Sequence, residues 1–252
     1  MTAALAERAR RLRELHRPGR PLLLANVWDV WSARAVAAAG ADAIATTSAG
    51  VARSLGYEDG EAMPAGVAFG AVARIAAAVD LPVTADLEAG YGLDPEAFVT
   101  ALLEAGAVGC NLEDTDHRTG GRAPLQRQAE WIAQVVDGAA RRGVEIVVNA
   151  RIDSFLDGSR SPERLEEAIM RGRAYREAGA ACVYPILAAD EGDLAAMVRE
   201  LGVVNVLSFP GAPSISRLRD LGVARISLGP NLGREAEHWI TARARALAEE
   251  LE

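Results

Sequence analysis

The chain has 252 residues, of which half are hydrophobic and a quarter are charged, and its formal net charge is −8. This length and composition are typical of a globular protein that buries a large core. The acidic balance argues against sequence-independent nucleic-acid binding and against an anionic membrane surface. No segment approaches about 18 consecutive apolar residues, and the charged N-terminus lacks a signal-peptide pattern, which predicts a cytoplasmic protein. Cys110 and Cys182 lie in apolar runs, so we expect reduced, buried thiols.

Short apolar runs alternate with stretches of helical length along the chain. Runs of this kind are typical of strands that are buried on both faces of a parallel sheet. The predicted strands are Leu22–Asn26, Ala43–Thr47, Val83–Leu87, Gly109–Glu113, Glu145–Asn149, Ala181–Pro185, Val204–Ser208 and Arg225–Leu228. The predicted helices are Val30–Ala39, Ala65–Val79, Pro95–Ala105, Leu125–Arg142, Pro162–Ala178 and Arg234–Leu251.

A weak internal repeat supports this alternation. In AAAGADAIA, LEAGAVGCN, REAGAACVY and RDLGVARIS, a helix ends at a glycine and a strand follows shortly after: Gly40, Gly106, Gly179 and Gly222. Asp94 and Ser161 precede prolines and are predicted N-caps. Eight strand–helix pairs predict an α/β fold, a (β/α)8 TIM barrel, as one domain spanning residues 1–252. An open doubly wound sheet is the alternative, but no G-x-G-x-x-G motif follows the first strand.

The third and fourth predicted strands end in acidic side chains, Asp86, Glu88 and Glu113. Catalytic groups of TIM barrels collect at the C-terminal ends of the strands, and neighbouring carboxylates repel each other unless a cation lies among them. Hard oxygen ligands favour Mg2+, with Mn2+ possible, and Asp86 suits a direct ligand with Glu88 and Glu113 acting through water. The alternative is that these acids form ion pairs with Arg151.

Three further polar features lie at strand ends. Arg151 follows VVNA and could hold a substrate carboxylate with two hydrogen bonds. A small-residue turn at Ser48, Ala49 and Gly50 could bring backbone N–H groups to an anion or oxyanion. His117, in the loop after the fourth strand, and Tyr184, at the end of the sixth, are proton-donor candidates, although a solvated loop histidine and a packed tyrosine remain open.

Six stretches, NVWDVWSARAV, TTSAG, LGYEDGE, TADLEAGYG, GCNLED and NARIDSFL, occur in this order and resemble the phosphoenolpyruvate mutase/isocitrate lyase superfamily. The resemblance implies a (β/α)8 barrel, with the last helix exchanged between subunits of a homodimer or homotetramer. It also implies Mg2+ and a small 2-oxo acid or dicarboxylate substrate, with a C–C or C–P bond broken through a metal-stabilised enolate.

The resemblance also implies roles for individual residues. Asp86 matches the direct Mg2+ ligand, while Glu88 and Glu113 match acids that act through water. Arg151 matches the arginine on the substrate carboxylate. The matched substrate-binding positions are Trp28, Asp29, Ser48, Ala49 and Gly50, and Asn205 lies in a segment that is also similar to the family.

The loop NLEDTDHRTGGRAPL departs from two branches of the family. It is short and lacks the K-x-C-G-H motif of the isocitrate and methylisocitrate lyases, and it lacks the longer lid of the phosphonate enzymes. It resembles the short-lid branch that includes oxaloacetate decarboxylase-like members. We therefore expect a Mg2+-dependent carbon–carbon lyase. The alternatives are a phosphonomutase or phosphonopyruvate hydrolase-like enzyme that uses Arg53, Arg118 and Arg122, and a non-catalytic 2-oxo-acid binding protein.

Overall fold

The structure is a computed structural model that describes residues 2–251. Its strands are β1 Leu22–Leu24, β2 Asn26–Val27, β3 Ile44–Thr46, β4 Val83–Asp86, β5 Gly109–Glu113, β6 Thr115–Asp116, β7 Gly121–Arg122, β8 Val147–Ile152, β9 Cys182–Pro185, β10 Asn205–Leu207 and β11 Arg225–Ser227. Its helices are α1 Thr2–Leu15, α2 Val30–Ala38, α3 Ser48–Ser54, α4 Ala65–Ala77, α5 Pro95–Glu104, α6 Leu125–Arg141, α7 Pro162–Glu177, α8 Glu191–Leu201, α9 Ile215–Asp220 and α10 Asn231–Glu249.

The parallel strands form a barrel. Their order around it is β1 with β2, then β3, β4, β5, β8, β9, β10 and β11, and β11 pairs with β1 to complete the circuit. A bridge between Val183 and Val204 connects β9 to the start of β10. Helices follow the strands along the chain, so the predicted (β/α)8 barrel is confirmed. None of the helices between Thr2 and Leu251 combines the length and apolar character needed to cross a membrane.

Two of the predicted strand boundaries are wrong. The first strand is interrupted at Ala25, because its first half pairs with β11 and its second half pairs with β3. The fifth barrel strand is Val147–Ile152 rather than Glu145–Asn149, because β8 pairs with the whole of β5, from Gly109 opposite Val147 to Glu113 opposite Arg151. Arg151 therefore lies within the strand and not after it. Its polar character suggested a strand end, but the barrel interior accommodates polar side chains at this level.

The predicted helix boundaries are close to those of the structure. Asp94 accepts hydrogen bonds from two backbone N–H groups at the start of α5, and the Ser161 hydroxyl accepts one from Arg164 in α7. The repeated glycines after α2, α5, α7 and α9 all have positive φ, as the repeat predicts: Gly40, Gly106, Gly179 and Gly222. Both cysteines are free and buried.

Helix α1 covers the N-terminal end of the barrel. Leu12 packs where a side chain on Gly109 would clash, and Arg13 donates a hydrogen bond to the Ile146 carbonyl. The Nδ1 atom of His16 lies 2.8 Å from the Leu12 carbonyl oxygen, which assigns the ring proton to Nδ1. Nε2 is buried and has no hydrogen-bond partner between Thr2 and Leu251. Burial and the nearby charge of Arg225 lower the pKa of His16 to about 3.

We expect His16 to make the fold sensitive to acid. The unfolded chain binds a proton at His16 below its ordinary pKa of 6.5 and the folded chain does not, so stability falls as pH falls. Between about pH 7.5 and pH 5, the free energy of unfolding should drop by about 2 kcal/mol more for the wild type than for His16→Gln. Urea titrations at several pH values measure this difference. If the free energy of unfolding depends on pH in the same way in both proteins, the prediction is wrong and the folded protein accommodates a charged His16.

Candidate active site

Acidic side chains converge at the C-terminal mouth of the barrel. Glu88 follows β4 and Glu113 ends β5, and both side chains are 3% exposed, which means that solvent does not screen their charges. Ligand atoms of Glu88, Glu113 and His117 all lie within 4.8 Å of one another. The structure thus brings together two of the predicted metal-site acids and adds the predicted proton donor to them.

The backbone around Glu88 is held in an unusual conformation. Glu61, Glu88 and Tyr91 have φ angles of 60°, 51° and 57°, in the left-handed region that residues other than glycine rarely adopt. The Glu88 carboxylate accepts hydrogen bonds from the Glu61 backbone N–H at 2.6 Å and from the Tyr91 hydroxyl at 2.7 Å. The Glu61 carboxylate in turn accepts the Tyr91 backbone N–H. Strain of this kind clusters at functional sites, where surrounding contacts hold it in place.

Asp86, at the end of β4, is fixed through both carboxylate oxygens. Oδ1 accepts a hydrogen bond from Asn111 Nδ2 at 3.1 Å, and Oδ2 accepts the Ser48 backbone N–H at 2.9 Å. Ser48, Ala49 and Gly50 do not form the predicted turn, because they are the first residues of helix α3. The anion nearest to the Ser48 N–H is therefore Asp86 of the protein itself.

Arg151, on the strand next to Glu113, pairs with two carboxylates. Its Nη1 contacts Glu113 Oε2, and its Nε donates to Asp153 Oδ1 at 2.6 Å. The ion pairs that were the alternative to a metal site are thus present. Among residues 2–251, however, no arginine or lysine lies within 4.0 Å of the Asp86 or Glu88 carboxylate. The nearest basic group is His117, whose Nε2 is 3.9 Å from Glu88 Oε2. Neighbouring carboxylates raise the pKa of Arg151 despite its burial.

The charges at the mouth suit a divalent cation. Burial raises the pKa of Glu88 and of Glu113, and the charge of Asp86 adds to both increases. Desolvation and the charge of Asp86 also raise the pKa of Asp59, in the loop before α4. A divalent cation would offset this repulsion, and a donor set made almost entirely of carboxylate oxygens fits Mg2+ or Mn2+. The residues present therefore fit the implied metal ion.

His117 lies on a short hairpin formed by β6 and β7. Its Nε2 is 2.6 Å from Glu113 Oε1, and this contact raises the pKa of His117. The hairpin is anchored from outside, because Arg122 forms an ion pair with Glu167 of α7. A cavity on the outer side of the hairpin includes His117 in its lining but contains neither Asp86 nor Arg151. His117 is thus held at the acids and is not a solvated loop side chain.

The other predicted site residues lie around this centre or away from it. Tyr184 is buried beside Arg151 in the neighbouring strand, and burial raises the pKa of its phenol. Asp29 caps α2 by accepting hydrogen bonds from Ser32, and Trp28 lines a groove next to α10. Asn205 lies in the barrel interior and exchanges hydrogen bonds with Ser227, so the structure does not bring it to the acids.

Sequence reasoning assigned no role to four residues of this centre. Asp59 and Glu61 lie in LGYEDGE, and the three acidic residues of this stretch could have indicated that it contributes to the site. Asn111 lies in GCNLED, where an amide inside an apolar strand is the signal. Asp153 follows the fifth barrel strand and binds Arg151, and its position two residues after the arginine could have indicated this pairing.

The fold and this centre define a TIM barrel with an acidic site at the strand ends. The family model for phosphoenolpyruvate phosphomutase matches residues 12–248. The chain belongs to this family, within the phosphoenolpyruvate mutase/isocitrate lyase superfamily.

Three relatives illustrate the range of the family. An uncharacterized protein of Mycobacterium tuberculosis (strain H37Rv) is 36% identical over 86% of this chain and 80% of its own length. The structure of a candidate phosphonomutase from Burkholderia cenocepacia J2315 has a TM-score of 0.90 and 39% identity, and it covers 95% of this chain and 99% of that one. The 2-methylisocitrate lyase of Escherichia coli (strain K12) is 27% identical over 89% of this chain and 83% of its length.

We expect the turn after Glu88 to require glycine at position 90. Gly90 has a φ of 100°, and a Cβ atom there would lie 2.8 Å from the Trp131 ring. Gly90→Ala should lower the free energy of unfolding by about 3 to 4 kcal/mol, because backbone strain and overpacking add. Gly92→Ala is the matched control: its φ is 65° but nothing lies within 4 Å, so about 1 to 2 kcal/mol is expected. Equal losses in urea titrations would contradict the role of the Trp131 contact.

Proposed function

We propose that this protein is a Mg2+-dependent lyase that cleaves a C–C bond adjacent to a small 2-oxo acid. Its substrate would be a small dicarboxylic acid such as oxaloacetate or a 2-hydroxyalkyl-succinate. The observation that carries this proposal is the cluster of Glu88, Glu113 and His117 at the strand ends, where Glu113 contacts Arg151. Asp86 lies outside this cluster, at the end of β4, but its charge helps to raise the pKa of both glutamates. When bound, the ion supplies Lewis-acid stabilisation of the negative charge that develops on the oxo oxygen. Asp86 would be its direct ligand, with Glu88 and Glu113 holding its water ligands.

Arg151 would orient the substrate. Its guanidinium is fixed on one side by Asp153 and on another by Glu113, so its plane is set before substrate arrives. A planar fork of N–H donors matches a carboxylate and holds it in one orientation.

His117 would move the proton. The contact with Glu113 favours the protonated imidazole, which can deliver a proton to the carbon from which the leaving fragment departs. Tyr184 is a weaker candidate, because burial strengthens the hold of its hydroxyl on the proton. The hairpin would supply this group in place of the cysteine of the isocitrate and methylisocitrate lyases.

A C–P bond enzyme is the second candidate, and the likeness to the Burkholderia phosphonomutase candidate favours it. A phosphonate needs additional positive charge. However, each of the three arginines considered for it already pairs with a carboxylate: Arg53 with Glu237, Arg118 with Asp116, and Arg122 with Glu167. Arg151 also pairs with carboxylates, so these surface pairings do not decide between the two candidates. Phosphorus NMR with phosphonopyruvate distinguishes the two, because only a C–P enzyme changes the phosphorus signal.

Asp86→Asn should abolish turnover. The substitution keeps the shape of the side chain but removes its charge, so the metal site loses its direct ligand, and we expect activity on oxaloacetate to fall at least about 1,000-fold. Asp116→Asn, on the hairpin, is the matched control, because within residues 2–251 the hydrogen bonds and the ion pair of its carboxylate all go to Arg118 of the same hairpin. Proton NMR of product formation measures both rates. Full activity in Asp86→Asn would rule out the proposed metal role.

His117→Gln should separate catalysis from binding. Loss of a general acid lowers kcat by about 100- to 10,000-fold, while KM should change little because Arg151 still holds the carboxylate. Asp116→Asn on the same hairpin is again the control and should retain wild-type kinetics. A variant at position 117 with unchanged kcat would assign the proton to another group.

We also propose that α10 packs on a second copy of the chain. This 19-residue helix has no buried residue, and Trp239 and Ile240 are 69% and 51% exposed. Exposed aromatic surface of this kind is typical of subunit interfaces. Light scattering should show a dimer or tetramer for the wild type and a smaller species for Trp239→Glu. A monomeric wild type would contradict the proposal.

A further inference from the structure

A buried cation lies in the barrel interior below the acidic site. Arg225 of β11 is fully buried and is the largest of the completely buried side chains. No carboxylate of residues 2–251 lies within 4.0 Å of its guanidinium, and Nη1 has no hydrogen-bond partner there. Burying a charged group without an oppositely charged partner costs free energy. The contacts of Arg225 therefore indicate why the barrel keeps an arginine at this position.

The Arg225 guanidinium reaches across the interior to Asn111 on β5. Nη2 donates to Asn111 Oδ1 at 3.2 Å, while Nε donates to Ser227 Oγ at 3.3 Å. Asn149 on β8 donates to the same Asn111 Oδ1 at 2.8 Å. Two donors therefore converge on one amide oxygen.

This convergence fixes which way the Asn111 amide points. With Oδ1 held by two donors, Nδ2 must face Asp86 Oδ1, and the distance between these atoms is 3.1 Å. The reversed amide would turn its N–H groups towards the Arg225 guanidinium, which can only donate, and its oxygen towards the Asp86 carboxylate, which can only accept. It would leave buried polar groups unsatisfied, at about 1 to 3 kcal/mol each. The orientation of Asn111 is therefore determined by Arg225 and Asp86, while Asn149 can donate or accept.

We propose that Asn111 is a positioning residue for Asp86, and that Arg225, which does not touch Asp86, acts on it through Asn111. The amide fixes one carboxylate oxygen and the Ser48 backbone N–H fixes the other, so the plane of the carboxylate is set before an ion binds. This inference rests on the proposed metal role of Asp86. If it is correct, the affinity of the site for the ion depends in part on Arg225, which lies in the barrel interior.

The test uses variants that leave the charge unchanged, since removing the Arg225 charge would itself alter the attraction for a cation. Asn111→Leu removes the amide at similar volume. Arg225→Lys keeps the charge but loses the planar fork. Thr84→Val is the matched control, because Thr84 is buried in β4 two residues before Asp86 and its hydroxyl has no partner within residues 2–251.

Mn2+ binding to the substrate-free protein, followed by the electron paramagnetic resonance signal of the free ion, is the readout. We expect the dissociation constant to rise by about 10- to 100-fold in Asn111→Leu, as for other residues that orient metal ligands, and to be unchanged in Thr84→Val. Arg225→Lys should weaken binding in the wild-type background and have no further effect in the Asn111→Leu background. Circular dichroism checks folding, and Asn111→Ser, which is too short to reach Asp86, is the second variant should Asn111→Leu not fold.

Each failure has its own pattern. A wild-type protein that binds no Mn2+ would overturn the proposed function and this inference together. A wild type that binds Mn2+ and an Asn111→Leu variant of equal affinity would overturn only the positioning role of Asn111. If Arg225→Lys weakens binding equally in both backgrounds, Arg225 does not act through Asn111.

Discussion

Mutual repulsion among buried carboxylates is the constraint on which this molecule depends. Glu88 and Glu113 come together where the barrel strands end, and burial and the charge of the nearby Asp86 raise the pKa values of both glutamates. Arg151 and His117 offset part of this charge by contacting Glu113. The remaining imbalance supports our proposal that the mouth of the barrel holds a divalent cation and, with it, an anionic substrate.

The rest of the fold holds these charges in place. On the outside, the hairpin that carries His117 is tied to α7 through Arg122, and the turn after β4 accepts left-handed backbone at Glu88 to aim its carboxylate. On the inside, hydrogen bonds continue from Asp86 to Asn111 and on to Arg225. The site is thus preorganised by contacts that come from strands on opposite sides of the barrel.

The sequence was sufficient for the barrel and for the acids at the ends of β4 and β5, because carboxylates after short apolar runs are unusual and strand ends share one edge. The sequence was insufficient where the surroundings of a residue depend on strands that are distant along the chain. The predicted extent of β8 was wrong because the strand continues through Arg151, whose polar side chain suggested a strand end. The helix that begins at Ser48 was not predicted because its seven residues are too few to show a helical pattern of apolar residues. The role of Asn111 depends on Arg225, which is far away in sequence, so no local pattern indicates it.

Calorimetric titration of the wild-type protein with oxalate, in the presence and absence of Mg2+, tests the central claim most directly. Oxalate mimics the enolate of pyruvate, so it should bind only where a cation and Arg151 hold both of its carboxylates. The account predicts tight binding with Mg2+ and none after chelation of the metal. Binding that does not depend on Mg2+, or no binding under either condition, would contradict a metal-dependent site at the barrel mouth.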